Sequence, residues 1–260
     1  MTDYKNLKLI ATSSPHIRGS ETTRSIMLDV IIAMLPALIW AVVMFGIKAL
    51  TLTVVSVIGC MFWEWLYRTL MKKPQSVGDL SAVVTGMLLA FVCPVTTPYW
   101  MILIGDFFAI VVVKQLFGGI GKNFANPALV GRIVLFLSFS KTMTAWVFPD
   151  AVSSATPLAQ LAAGQKPELW TLLLGNHGGC IGETCALALL LGGAYLLLRG
   201  VITWQTPVCF VGTVFVLSLI LGQDAVRQIL SGGLLLGAFF MATDYVTAPQ
   251  TCWGRALFGI

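Results

Sequence analysis

Charge is scarce in this sequence. Charged residues are 10% of 260, against about a quarter in soluble globular domains, and the mean hydropathy is +0.88. That combination excludes a soluble fold. Histidine is scarcer still: only His16 and His177 are present. The six cysteines (Cys60, Cys93, Cys180, Cys185, Cys209, Cys252) form no C-x-x-C pair and adjoin no histidine, so zinc-finger spacing is absent. The closest two, Cys180 and Cys185, read as small apolar core residues. The first 25 residues hold neither an apolar h-region nor a small-residue cleavage site, so no cleavable signal peptide is expected and the first span serves as its own insertion signal. The glycines at 118, 119 and 121 follow no strand, which excludes a dinucleotide fingerprint.

What the sequence has in abundance is apolar residues, 57% of the chain. They fall into about eight segments, near 26–47, 49–66, 78–92, 99–117, 128–147, 181–198, 201–221 and 229–243, which defines an all-α, polytopic helical membrane protein. Residues 1–25 form a basic N-terminal segment ahead of this membrane domain, 26–260. Several segments fall short of the roughly 20 residues a bilayer asks for. Short, glycine-interrupted segments are the mark of broken helices around an internal cavity. Residues 78–82 and 182–186 echo each other, as do 127–132 and 249–255, which raises an internal repeat. The run 255–260 stops a few residues into another apolar stretch, so a continuation beyond it is expected.

The formal charge of +5 is explained by membrane topology and not by nucleic acid, which is not an expected partner. Alternating spans place Lys5, Lys8, Arg18, Arg24, Arg68, Lys72, Lys73, Lys114, Lys122, Arg132, Arg199 and Arg255 on one side, and Lys48, Lys141, Lys166 and Arg227 on the other. The first side is therefore cytoplasmic, with the N-terminus, in a cell membrane. The loop at 148–168 is then extracytoplasmic.

Carboxylates inside apolar segments are costly and mark ion paths by default. Asp106, far from any segment end, is the leading cation-path candidate, followed by Asp79 and Glu183, which are equally suited to capping helices. The polar stretch at 150–158 concentrates Asp150, Ser153, Ser154 and Thr156 ahead of Pro157. No histidine or lysine near it in sequence would activate a hydroxyl, so a catalytic triad is not expected. On its residues alone the stretch reads as a turn.

Asp150-Ala-Val-Ser-Ser-Ala-Thr156 resembles the flavinylation motif of the D subunits of the Rnf ion-translocating ferredoxin:NAD oxidoreductases, a family homologous to the B subunits of the sodium-pumping NADH:quinone reductases. Ser13-Ser-Pro-His-Ile-Arg18, Gly78-Asp-Leu-Ser-Ala-Val-Val-Thr-Gly86, Lys114-Gln-Leu-Phe-Gly-Gly-Ile-Gly121, Asn123-Phe-Ala-Asn-Pro-Ala128, Gly182-Glu-Thr184 and Gly237-Ala-Phe-Phe-Met-Ala-Thr-Asp244 are similar to that family in order and spacing. The resemblance covers essentially the whole chain, with Ser154 standing where many relatives have glycine.

The resemblance implies FMN joined to Thr156 through a phosphoester, with Asp150, Ser153, Ser154 and Ala155 read by a dedicated flavin transferase. It also implies a second, non-covalent flavin, such as riboflavin, near Asn123 and Asn126. Partners would be Rnf subunits of the A, B, C, E and G types, and electron transfer would be coupled to Na⁺ or H⁺ movement. No catalytic side chain and no metal site are expected. The rival readings are a flavin-independent permease and a structural scaffold subunit.

Overall fold

The structure is a computed structural model that describes residues 21–146 and 156–260. These residues are helical, with one isolated β-bridge between Pro94 and Cys180. The helices are α1 (Thr23–Phe45), α2 (Ile47–Leu70), α3 (Ser81–Phe91), α4 (Tyr99–Phe107), α5 (Pro127–Ser138), α6 (Ser140–Met143), α7 (Pro157–Ala162), α8 (Leu169–Leu174), α9 (Ala186–Leu198), α10 (Gln205–Ile220), α11 (Ala225–Leu230), α12 (Leu234–Leu236) and α13 (Cys252–Gly259). Helix α4 runs on as a π-helix over Phe108–Gln115, and α12 does the same over Gly237–Met241.

Two helices, α1 and α2, are long and apolar enough to cross a membrane unaided. The other expected spans are shorter. The segment anticipated over 128–147 is helical only to Ser138, and Phe139 breaks it before the four-residue α6. Pro36 sits inside α1 without ending it.

Helices α2 and α4 run parallel, joined by contacts in step along their lengths. Thr51 meets Tyr99, Ser56 meets Asp106, and Glu64 meets Lys114. Parallel neighbours need a return path, which the eleven-residue α3 provides only in part. Residues 92–98 complete it as irregular backbone. Bare backbone of this kind persists in an apolar interior only if it is paired. Here it is: Ile181 N–H donates to Cys93 O at 3.1 Å, and Gly182 N–H donates to Phe91 O at 2.9 Å. The Cys180 thiol adds a contact of 3.2 Å to Val92 O.

The internal repeat has a different register from the echoes named above. Residues 78–82 precede α3 and residues 182–186 precede α9, which are not equivalent elements. The pairs Gly86 and Gly237, Val95 and Val246, Thr96 and Thr247, and Pro98 and Pro249 are each 151 positions apart. That offset maps α1 onto α9, α2 onto α10, α3 onto the α12 π-helical segment, and α4 onto α13. Helix α9 packs antiparallel to α1: Asp29 meets Tyr195 and Arg199, and a Cβ on Gly192 would lie 2.2 Å from Ala33 O. The two units are thus inverted relative to each other, and weak composition echoes mistook capping segments for the repeat.

Gly182 is held where its backbone crosses Phe91, and an added Cβ would sit 2.4 Å from Phe91 Cβ. Gly182→Ala is therefore expected to cost about 1–3 kcal/mol. At Gly212 on α10 a Cβ meets nothing within 4 Å, so Gly212→Ala is expected to be neutral or slightly stabilising. Thermal unfolding in detergent checks the contrast, and equal midpoints for the two variants would refute it.

Candidate functional site

A cavity of about 530 Å³ opens between the two inverted units. One wall comes from α1 and α3, through Met27, Val30, Thr85 and Leu88. The other comes from the second unit, through Leu196, Phe239, Phe240 and Thr243–Val246. The loop at 120–127 and Lys114 close one side. The volume lies within the range of small-molecule and cofactor sites, and the lining has their composition, mostly apolar with a few convergent polar groups.

Asn123 and Asn126, predicted to serve a second flavin, both line this cavity. Asn126 caps α5, its Oδ1 accepting from Ala128 N–H at 3.0 Å and Leu129 N–H at 3.4 Å. Asn123 Nδ2 donates to Ala125 O at 3.0 Å. Those bonds leave the Asn123 carbonyl oxygen and the Asn126 NH₂ for an occupant. One acceptor and one donor side by side suit the uracil-like edge of a flavin, which offers both.

Next to them is a buried charge constellation that inspection of single residues does not reveal. Lys114 Nζ lies 2.7 Å from Glu64 Oε2 and 2.6 Å from Ser81 Oγ. Ser76 Oγ donates to the other Glu64 oxygen, and Arg68 stands 4.0 Å from it. Glu64 is wholly buried and Lys114 nearly so. The π-helical winding after Phe107 turns Lys114 towards α2, and π-segments recur at functional positions. A warning signal was present in the sequence: an acid and a base in separate apolar segments need a partner, and each was the other's.

The predicted cation-path residues separate on inspection. Asp79 ends the turn that leads into α3, where it accepts from Ser81 N–H at 2.8 Å and from the Ser81 hydroxyl. Glu183 pairs with Arg132 at 3.4 Å. Arg132, placed near a membrane edge by counting, instead reaches inward to Glu183 and Cys180. Asp106 is wholly buried on α4 and has no cationic partner among the described residues. The structure does not bring these three acids together.

Thr156 stands at the N-cap of α7, half-buried, with Oγ1 accepting from Ala159 N–H at 3.3 Å. The chain after it is fastened: Leu158 packs on Gly232, and Arg227 Nε donates to Pro167 O at 2.8 Å. Asp150, Ser153, Ser154 and Ala155 lie outside the described residues. Thr156 is not among the residues that line the cavity. Cys180 and Cys185 serve packing and capping, the latter accepting from Ala188 N–H. His177 lies in the bend between α8 and α9 and is buried, with Nδ1 3.3 Å from Gly178 O.

Among the described residues, an all-helical architecture with two apolar helices of membrane-spanning length is that of a membrane protein. A profile of the NQR2, RnfD, RnfE family matches residues 10–260, and the chain belongs to that family. It is 47% identical to the D subunit of the Na(+)-translocating ferredoxin:NAD(+) oxidoreductase complex of Acetobacterium woodii, over 98% of this chain and 82% of that one. It is 38% identical to the D subunit of the proton-translocating ferredoxin:NAD(+) oxidoreductase complex of Clostridium ljungdahlii, over 98% and 84% of the two chains. With the D subunit of the ion-translocating oxidoreductase complex of Actinobacillus succinogenes the identity is 35%, over 96% and 85%.

Removing one member of a buried ion pair strands the other, at a cost of about 3–5 kcal/mol. Glu64→Gln is expected to show that loss, and Glu64→Gln with Lys114→Met is expected to recover much of it. Unfolding of both variants in mixed micelles checks this, and a double variant weaker than the single one would show that the charges are not coupled.

Proposed function

We propose that the chain is the D-type membrane subunit of an ion-translocating ferredoxin:NAD oxidoreductase, carrying FMN as a phosphoester on Thr156 and a second flavin in the cavity. The observation that carries this reading is near full-length similarity, at 47% identity, to the D subunit of such a complex. The partners are the other subunits of the complex, of the A, B, C, E and G types, together with a flavin transferase during maturation.

The residues on each side suit the roles assigned to them. Thr156 is partly accessible at the start of a short helix whose far side is anchored, so a tethered group would be confined to a small volume at high effective concentration. Asp150, Ser153, Ser154 and Ala155 are the recognition determinants for attachment. Asn123 and Asn126 hold the polar edge of the cavity occupant, with the Lys114 ammonium nearby and Phe239 and Phe240 on the opposite wall. The isoalloxazine groups, when bound, supply the electron chemistry, while the protein supplies position and electrostatics. In the proposed membrane orientation the cavity faces the cytoplasmic side and Thr156 the opposite side. Electron passage is coupled to movement of Na⁺ or H⁺.

The cavity between inverted units would also suit a permease. Against that stands the family, whose matched members are named as redox-complex subunits.

Intact mass of the protein, purified from a host that contains the transferase, tests the attachment. The expected excess is one FMN less one water, lost in Thr156→Ala together with the fluorescence of the denatured band. An unmodified wild-type mass, or fluorescence that persists in the variant, would overturn the assignment to Thr156.

A further inference from the structure

Asp106 lies seven residues into α4, just before the helix widens into its π-segment. Its carboxyl is wholly buried, and its two oxygens have different surroundings. Oδ1 is 2.7 Å from Ser56 Oγ and 3.2 Å from Cys60 Sγ, both on α2. Oδ2 has no hydrogen-bond partner among the described residues. It faces Gly59, where an added Cβ would lie 2.5 Å away.

The charged groups on the elements around it are occupied elsewhere. Glu64 on α2 and Lys114 on the π-segment bind each other at 2.7 Å, Arg68 on α2 stands 4.0 Å from Glu64, Arg132 on α5 pairs with Glu183 at 3.4 Å, and Lys48 at the start of α2 is exposed. Lys114 is eight residues along the helix, roughly 10 Å away along the axis. Helix α3 presents the Gly86 carbonyl to this site, and α5 packs Leu135 against neighbouring Gly105. An ionised Asp106 would thus have no cation beside it, only the Ser56 hydroxyl and the Cys60 thiol, and a buried group without a counter-charge favours its neutral form.

Counting hydrogens gives the same result independently. Ser56 Oγ lies 2.9 Å from Gly86 O as well as 2.7 Å from Asp106 Oδ1. A serine hydroxyl has one hydrogen to donate. One hydrogen can be shared between the two acceptors as a three-centre bond, but each contact is a full hydrogen bond where a neighbour brings a hydrogen of its own, which a carbonyl cannot do and a carboxyl can. With the proton on Oδ1, Asp106 donates to Ser56 and Ser56 donates to Gly86 O, while the Cys60 thiol donates to Oδ1. A sodium ion would need several oxygens around it, yet the Ser56 and Gly86 oxygens are engaged in this chain and Gly59 closes the space at Oδ2.

We propose that Asp106 is a proton-binding site, a carboxylic acid in the resting protein that takes H⁺ and not Na⁺, seated in a relay with Ser56 and the Gly86 carbonyl. The protonation stands on the geometry alone. Any part it plays in transport rests on the ion-coupling reading above.

Infrared difference spectroscopy on the protein in lipid, within its complex, tests the site. The expected result at neutral pH is a protonated-carboxyl carbonyl band that shifts in D₂O and is missing from Asp106→Asn. In Ser56→Ala, where the acid loses its acceptor, the band moves to higher frequency. Saturating Na⁺ leaves it unchanged. Absence of an Asp106-dependent band at neutral pH overturns the protonation, and its loss on adding Na⁺ overturns the selectivity. If Asp106→Asn fails to assemble, Ser56→Ala carries the test, and a carboxyl band that does not move there overturns the relay. Proton uptake by vesicles bearing Asp106→Asn reads transport separately. Full uptake removes Asp106 from the ion path while the band still decides the protonation.

Discussion

Two short lengths of non-helical backbone, at 92–94 and 180–182, cross in the interior, where they pair with each other and with the end of α3. An apolar surrounding offers no water to backbone N–H and C=O groups, so each length would be untenable alone. Their pairing allows α3 to stop after eleven residues and α9 to begin late. It also fastens the first inverted unit to the extended backbone that leads into the second. Gly182 is required at this point because the Phe91 side chain leaves no room for a Cβ. The cavity follows from the same constraint, since short helices leave space that continuous ones would fill.

Among the described residues the buried carboxylates obey one rule with one exception. Asp29 on α1 is met by Tyr195 and Arg199 at the end of α9. Glu183 is met by Arg132 from α5, and Glu64 by Lys114 from the π-segment. Each pair bridges elements distant in the sequence, so the pairs fix how the helices are arranged as well as neutralising one another. A pair of this kind adds little stability over apolar residues of the same shape, so its value here is in specifying register. Asp106 is outside the rule: its neighbours are a hydroxyl, a thiol and a glycine. A charge pair can be read as architecture, whereas an acid with no base is available for protons.

Much of the class was legible in the residues, because apolar composition and low charge leave few alternatives to a helical membrane protein. The cavity was legible too, from short segments broken by glycine. The repeat register was not. Its strongest trace is Val95-Thr-Thr-Pro98 against Val246-Thr-Ala-Pro249, and such a short match is hard to separate from chance until the helices on either side are known to correspond. The Glu64–Lys114 pair was hidden for a related reason. The residues are fifty positions apart, and only the parallel packing of α2 and α4 brings them together. The Arg132–Glu183 contact was hidden because charge counting assigns a residue to a side by its place in a segment and says nothing about where its side chain reaches.

Thr156 and the cavity are joined by one stretch of the scaffold. Leu158 and Pro167 tie the segment after Thr156 to the region around Gly232 and Arg227, which precedes α12. The α12 π-segment then continues directly into Phe239, Phe240 and Thr243, which line the cavity. One stretch of the second unit thus touches both places. A rearrangement of this stretch at either end would be felt at the other, since the π-winding between them packs Ala238, Phe240 and Met241 into the core. Packed interiors respond in discrete steps and not by gradual yielding. Coupling between the two proposed flavin sites would therefore have a physical carrier within this single chain.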